Sequence, residues 1–193
     1  PALLPLQDLR VLDFSTLLPG PLASLILAEA GAEVVKVERP GAGEDMRAYP
    51  PRLGDESGSF AVLNRGKRAI AMDLRAPGAA ASLLALAPTV DIVLEQFRPG
   101  VMERLGLGYE AWRAANPGIL YCAITGYGQS GPRAGEAGHD LNYQASAGLL
   151  SLTAGADGAP GLPPALAGDL AGGTWPAVVN LLLALRRRGR TGE

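Results

Sequence analysis

The chain has 193 residues, of which 48% are hydrophobic, and a formal net charge of −2. That length supplies one domain with a real core, and the near-neutral charge gives no reason to expect nucleic acid or an anionic membrane surface as a partner. No apolar run reaches the ~18 residues of a membrane span, and the opening "PALLPLQDLR" lacks the basic start and long apolar core of a secretory signal.

In chain order, "LRVLDFS" (9–15) is a short β-rich run that ends in the turn "TLLPGP". "PLASLILAEAG" (21–31) reads as a helix, with Pro21 near its first turn and Gly31 just past its end. "AEVVKVER" (32–39) reads as a second strand, completing a βαβ unit. Residues 40–59, rich in Gly, Pro and charge, read as a long loop. A third strand is predicted at "AIAMDL" (69–74), a helix at "PGAAASLLALA" (77–87) and a fourth strand at "DIVLEQF" (91–97). Short helical pieces follow at 101–105 and 109–115, then a fifth strand, "GILYCAIT" (118–125). That strand holds Cys122, the only cysteine. It cannot form an intrachain disulfide, so it reads as a buried structural thiol, and a reducing cytoplasm is the expected compartment.

Strands that are apolar throughout and alternate with helices predict an α/β fold, an open parallel sheet with helices on both faces. Beyond a glycine-rich loop, residues 141–150 read as a helix and 153–168 as a loop. Asp169 then heads a long final helix, "DLAGGTWPAVVNLLLALRRR", in which Pro176 marks either a kink or the true start. Arg186, Arg187 and Arg188 suit its C-terminus and Gly189 its cap. The chain stops four residues later at Glu193, which reads as a fragment of a longer protein.

Gly126, Gly128 and Gly131 in "GYGQSGPRAGEAGHD" match the spacing G-x-G-x-x-G. A dinucleotide fingerprint needs a turn leading straight into a helix, and an acidic residue ~20 positions on at the end of the next strand. Pro132 followed by "RAGEAG" cannot open a regular helix, and Asp157 falls in a loop. The stretch reads as a glycine connector.

Three other features can carry chemistry. His139, the only histidine, follows the C-terminal end of a parallel strand, where open α/β sheets bind ligands. It is either a surface histidine or a proton-transfer group. Asp169 is either an N-cap or a carboxylate facing a pocket. Arg39, Arg65, Lys67, Arg68, Arg75 and Arg98 lie at strand ends or in loops, and form either a solvated rim or a set that neutralises a polyphosphate.

Taken together, "LRVLDFSTLLPGPLASLILAEAGAEVVKVERP", "NRGKRAIAMDL", "LEQFRPGVMERLGLGYE", "NPGILYCAITGYGQSGP", "AGHDLNYQASAGLL" and "GDLAGG" resemble the class III CoA-transferase family (CaiB/BaiF-like), which includes the α-methylacyl-CoA racemases. The motifs run in order over nearly the whole chain. "GHDLNY" resembles the racemase branch, because the transferases usually lack a histidine matching His139.

The resemblance implies that His139 and Asp169 are two bases on opposite faces of the α-carbon of a 2-methylacyl-CoA. One removes the α-proton and the conjugate acid of the other returns it, through an enolate. It assigns the backbone N–H of Asp140 to the enolate oxygen. It assigns Arg39, Met72, Asp73, Leu74, Arg75, Arg98, Gly138, Asp140, Leu141, Asn142 and Tyr143 to substrate and CoA contacts. No metal and no separate cofactor is implied, since CoA is part of the substrate. In the transferase alternative, Asp169 becomes the acyl-carrying nucleophile.

The resemblance further implies a protein about twice this length, an interlocked homodimer. Residues 1–193 would be the N-terminal part of its large, Rossmann-like CoA-binding domain. The small domain, with an acidic residue that orients His139, would lie outside the chain, and these residues alone would be inactive.

Overall fold

The computed structural model describes residues 3–192; Pro1, Ala2 and Glu193, the outer ends of the unit expected from the sequence, lie outside the described residues. Strand β1 (Arg10–Asp13) leads through a tight turn into helix α1 (Pro19–Glu29), whose first turn holds the prolines, where a missing N–H removes no helical bond. Just past the end of the helix, Gly31 has φ +110° and lies so close to Leu4 that a Cβ would stand 2.6 Å from the leucine Cβ. Strand β2 (Glu33–Glu38) follows.

The stretch predicted as a long loop carries a 3₁₀ turn (Asp45–Ala48), a small hairpin of β3 (Arg52–Leu53) and β4 (Glu56–Ser57), and the start of helix α2 (Gly58–Asn64). Ser57 caps that helix by accepting from the Phe60 N–H at 3.2 Å. Strand β5 (Arg68–Ala71), helix α3 (Ala79–Leu84) and strand β6 (Ile92–Glu95) come next. Helices α4 (Val101–Arg104) and α5 (Tyr109–Ala115) lead to strand β7 (Leu120–Ala123). Helix α6 (Asp140–Ser146) and helix α7 (Trp175–Thr191) close the chain.

The five longer strands form one parallel sheet in the order β5-β2-β1-β6-β7, with Val11 opposite both Val34 and Ile92. Alternation along the strands sends neighbours to opposite faces. Leu12 and Val93 pack with Leu83, Met102, Leu107 and Trp112 under α3–α5. Val11, Val34 and Ile92 pack with Leu27 and Leu181 under α1 and α7. Both faces are covered, as expected of an all-parallel sheet.

Several predicted boundaries move. β5 stops at Ala71, and the Asp73 carboxylate turns the chain by accepting from the Arg75 N–H at 2.9 Å. Pro176 marks the true start of α7: residues Gly168–Thr174 form a wider π-helical turn, and the α-helix begins at Trp175. Gly192, at φ +79°, ends α7 in place of Gly189. Arg188 binds the helix to the sheet through Asp91 (2.8 Å) and the Gly118 carbonyl (2.9 Å), so helix α7 has tertiary reason to continue past it. Among the described residues no helix is long and apolar enough to cross a membrane.

Candidate active site

Numbered along the chain, the parallel strands lie in the order 3-2-1-4-5, so the winding direction reverses between β1 and β6. Ligands of open α/β sheets bind beyond the carboxyl ends of the strands at such a reversal. Two clefts open along that edge and meet at Phe97, which lines both. The inner cleft, of 620 Å³, lies beyond β1, β6 and β7. The outer cleft, of 810 Å³, lies beyond β2 and β5 and against α4.

The turn after β1 forms one wall of the inner cleft with Leu17 and Pro19. It is held by buried charge. Asp13, fully buried, accepts from the Ser15 N–H (2.8 Å), the Ser15 hydroxyl and the Ser24 hydroxyl (2.5 Å), and lies 3.4 Å from Lys67 Nζ. Lys36, also buried, donates to the Ser15 carbonyl at 2.7 Å and sits 2.8 Å from Glu44, an ion pair in which the carboxylate is not aligned for a hydrogen bond. Two lysines and two carboxylates thus balance inside the fold. Burial pushes the Asp13 carboxyl up, but Lys36, Lys67 and the two hydroxyls together hold it below its ordinary value. For Lys67 burial wins, bringing the ammonium down to about 8 against the pull of Asp13. The turn also holds Leu17 at φ +61°, and the Gly20 N–H donates to Gln96 Oε1 at 3.0 Å. A Cβ at Gly20 would run into the Ser15 side chain.

Beyond β6, the buried Glu95 carboxylate accepts from the Phe97 N–H at 2.7 Å, shaping the turn that presents Gln96, Phe97 and Arg98 to the clefts. Burial raises its carboxyl to about 7.

Beyond β7 the glycine loop runs without a helix until Asp140, which bears out the connector reading of Gly126, Gly128 and Gly131. Tyr143 holds the loop from inside. Its hydroxyl donates to the Gly138 carbonyl at 2.8 Å, and a Cβ on Gly126 or Gly138 would stand 2.6 or 2.7 Å from its ring carbon Cε1. Tyr127 packs edge-on against that ring at 5.3 Å, and Arg133 lies 3.8 Å over Tyr127. The loop ends at His139, exposed at the mouth of the cleft, whose N–H donates to Asn142 Oδ1 at 2.9 Å.

Asp169 is not the N-cap of the last helix; its own N–H donates to the Asp140 carboxylate at 2.9 Å. The π-helical turn around it docks on the β1 turn, where the Thr174 hydroxyl donates to the Pro19 carbonyl at 2.9 Å. Burial first, and the neighbouring Asp140 second, raise the Asp169 carboxyl, while His139 opposes the shift.

Of the residues singled out from the sequence, Arg98, Gly138, His139, Tyr143 and Asp169 line the inner cleft. Arg39, Met72, Asp73, Leu74 and Arg75 line the outer one. Leu141 and Asn142 are exposed on α6 and line neither cleft, and the Asp140 side chain is buried behind it. The six basic residues are not one patch: Arg65 pairs with Glu29, Arg68 with Glu33, and Lys67 is buried with Asp13.

Sequence reasoning missed Gln96 and Arg104. The first was read as part of a strand that in fact stops at Glu95, and the second lies one helical turn beyond Gly100 in a helix read only for its existence. Cys122 is partly buried, its thiol pushed up to about 11 by burial. Among the described residues no three His, Cys, Asp or Glu side chains gather as a metal site.

The model of CoA-transferase family III matches residues 6–193. The chain is 42% identical over 190 residues to mouse succinyl-CoA:glutarate CoA-transferase, covering 98% of this chain and 43% of that protein. It is 41% identical over 188 residues to human alpha-methylacyl-CoA racemase, covering 97% of this chain and 46% of the relative. The crystal structure of a CAIB/BAIF family protein from Brucella suis superposes with a TM-score of 0.90 at 35% identity, covering 98% of this chain and 51% of that one. The chain spans about half the length of the curated relatives it matches.

Proposed function

The chain belongs to CoA-transferase family III, and from that premise we propose that the protein racemises 2-methylacyl-CoA thioesters by exchange of the α-proton between two bases. The observation that carries this reading is that His139 and Asp169 face one cleft, with the Asp169 carboxyl raised by burial and by Asp140. A raised carboxyl is a better proton carrier near neutral pH, and an imidazole can both accept and donate a proton.

In this reading the nucleotide end of CoA occupies the outer cleft. Arg39, Arg75 and Arg104 are placed to meet its phosphates, with Asp73 in the turn that carries Arg75, and Met72, Leu74 and Phe97 supply apolar wall. The pantetheine arm crosses Phe97 and Arg98, and the thioester lies between His139 and Asp169. One base takes the α-proton, the thioester carbonyl becomes an enolate, and the backbone N–H of Asp140 at the first turn of α6 donates to it. Protonation from the opposite face inverts the centre. Gly138 and Tyr143 form the wall that carries His139, and Asn142 holds the His139 backbone from the outer side of α6. The complete protein is proposed to be a cytoplasmic homodimer in which a second domain closes the inner cleft. The exposed Trp175, Val179, Leu182 and Leu183 lie outside both clefts, on one face of α7, and support a separate contact with the rest of the complete protein.

A second reading is favoured by the half-buried Asp169 itself and by the transferases among the relatives. An Asp169 oxygen bonds to the thioester carbonyl carbon and CoA leaves as thiolate, giving a mixed anhydride. The thiolate then attacks the aspartyl carbonyl and releases the first acid as carboxylate.

The test uses the complete protein, one enantiomer of a 2-methylacyl-CoA and deuterated water, with no second acid present. Deuterium uptake at the α-carbon with loss of optical activity is expected. His139→Ala should slow it by at least ~10²-fold from one enantiomer. Absence of exchange, with CoA moving once an acceptor acid is added, replaces this proposal with the transferase.

A further inference from the structure

We infer that the Asp140 side chain is a positioning residue that sets the spacing between His139 and Asp169. The inference rests on the reading of those two as the reacting groups. Asp140 is 6% exposed, and both of its carboxylate oxygens are engaged. Oδ1 accepts from the Asp169 N–H at 2.9 Å, and Oδ2 accepts from Gln144 Nε2 at 2.5 Å. One residue upstream in the backbone is His139. A single carboxylate therefore ties the chain at one member of the pair to the backbone of the other, 29 residues on.

Gln144 fixes that carboxylate in turn. Its Nε2 also donates to the Ala165 carbonyl at 3.0 Å, while its buried Oε1 has no partner. Rotating the amide would set Oε1 against two acceptors, Asp140 Oδ2 and Ala165 O, so one orientation holds. The unsatisfied Oε1 is the penalty accepted for it. Tyr143 completes the bracket from the same face of α6. Its ring lies against Gly126 and Gly138 on the His139 side, and a Cβ on Gly168 would stand 3.1 Å from its Cβ on the Asp169 side. Positions 140, 143 and 144 are i, i+3 and i+4, one face of one helical turn. None of these three contacts needs a ligand, so the spacing exists before substrate arrives, as pre-organised sites require.

Two variants separate the roles of the carboxylate, and both keep the Asp140 backbone N–H. Asp140→Asn keeps an oxygen for the Asp169 N–H, removes the charge and sets its NH2 against Gln144 Nε2, so the amide of Gln144 must turn and give up the Ala165 carbonyl. Asp140→Ala removes the tether. The groups that face Asp169 are Asp140 and Tyr143 from α6 and His139 from its N-cap, with Arg98 and Glu136 lining the same cleft. Loss of the Asp140 charge removes a neighbour that raises the Asp169 carboxyl.

In the complete protein, Asp140→Ala should lower kcat by about 10–100-fold with KM changed less than about threefold. Asp140→Asn, which keeps the tie to the Asp169 N–H, should lower kcat less than Asp140→Ala does and move the acid limb of the pH–rate profile to lower pH. Wild-type kcat in Asp140→Ala, or an unmoved acid limb in Asp140→Asn, overturns the inference. His139→Ala and Asp169→Asn are assayed alongside: full activity in either sinks the two-base reading itself. Their inactivity beside an unaffected Asp140→Ala sinks the bracket alone. Should Asp140→Ala fail to fold, Gln144→Leu takes its place, since it frees Asp140 Oδ2 without touching the charge: wild-type kcat there overturns the inference.

Discussion

Replacing Glu95 by Gln should make the fold more stable at mildly alkaline pH and leave it nearly unchanged at pH 4. Glu95 is 5% exposed at the end of β6, and its carboxyl is raised from 4.5 to about 7, chiefly by burial. The folded state therefore keeps a proton that the unfolded chain has already lost between those two values. Stability falls as pH rises through that window, and by pH 8 the loss reaches about 3 kcal/mol. Glutamine is neutral throughout and retains an oxygen for the Phe97 N–H, the bond of 2.7 Å that shapes the turn into both clefts. Urea denaturation of wild type and Glu95→Gln at pH 4, 5, 6, 7 and 8 reads the difference directly, since every other titrating group is common to both. The gap should open toward high pH in favour of the variant. A gap that stays constant with pH, or a variant less stable at pH 8, would refute the reasoning.

Lys67→Met should destabilise the fold by about 3–5 kcal/mol, because it leaves Asp13 buried without its second cation and frees the Pro21 carbonyl and Asn64 Oδ1. Asp13→Asn combined with Lys67→Met restores balance around Lys36 and Glu44, so the double variant should lose less than the sum of the two singles in denaturation midpoints. Strict additivity would mean that the two groups do not interact. Gly126→Ala places a Cβ 2.6 Å from Tyr143 Cε1 and 2.8 Å from Cζ, an overpacking of about 1–3 kcal/mol. Thermal melts should show that loss, and α-proton exchange should slow as the His139 loop shifts; unchanged values in both would show that the ring moves aside freely.

Much of the fold was legible because it rests on local signals. The five apolar runs, the prolines at the start of α1 and the glycine after its end each act within a few residues. Pro176 was legible only as a pair of alternatives, since a proline marks a break without saying on which side the helix lies. Helix α2 was hidden because "GSFAVLN" is short and follows a stretch whose composition reads as loop; its Ser57 cap becomes visible only once the hairpin has placed it.

The candidate site divides the same way. Sequence by itself determined the strand ends that line the clefts, and so the placement of Arg39, Arg75, Arg98 and His139 at one edge of the sheet. Side-chain chemistry left His139 as a surface histidine or a proton carrier and Asp169 as a cap or a pocket carboxylate, and only the family resemblance singled the two out. Only the tertiary structure decided which of them meet. Lys67 and Asp13 are 54 residues apart and Asp140 and Asp169 are 29 apart, and no propensity or period acts over such separations. Crossovers between parallel strands set those pairings, so a lysine expected in a basic rim became a buried counter-ion and an expected N-cap became a group held by its neighbour's carboxylate.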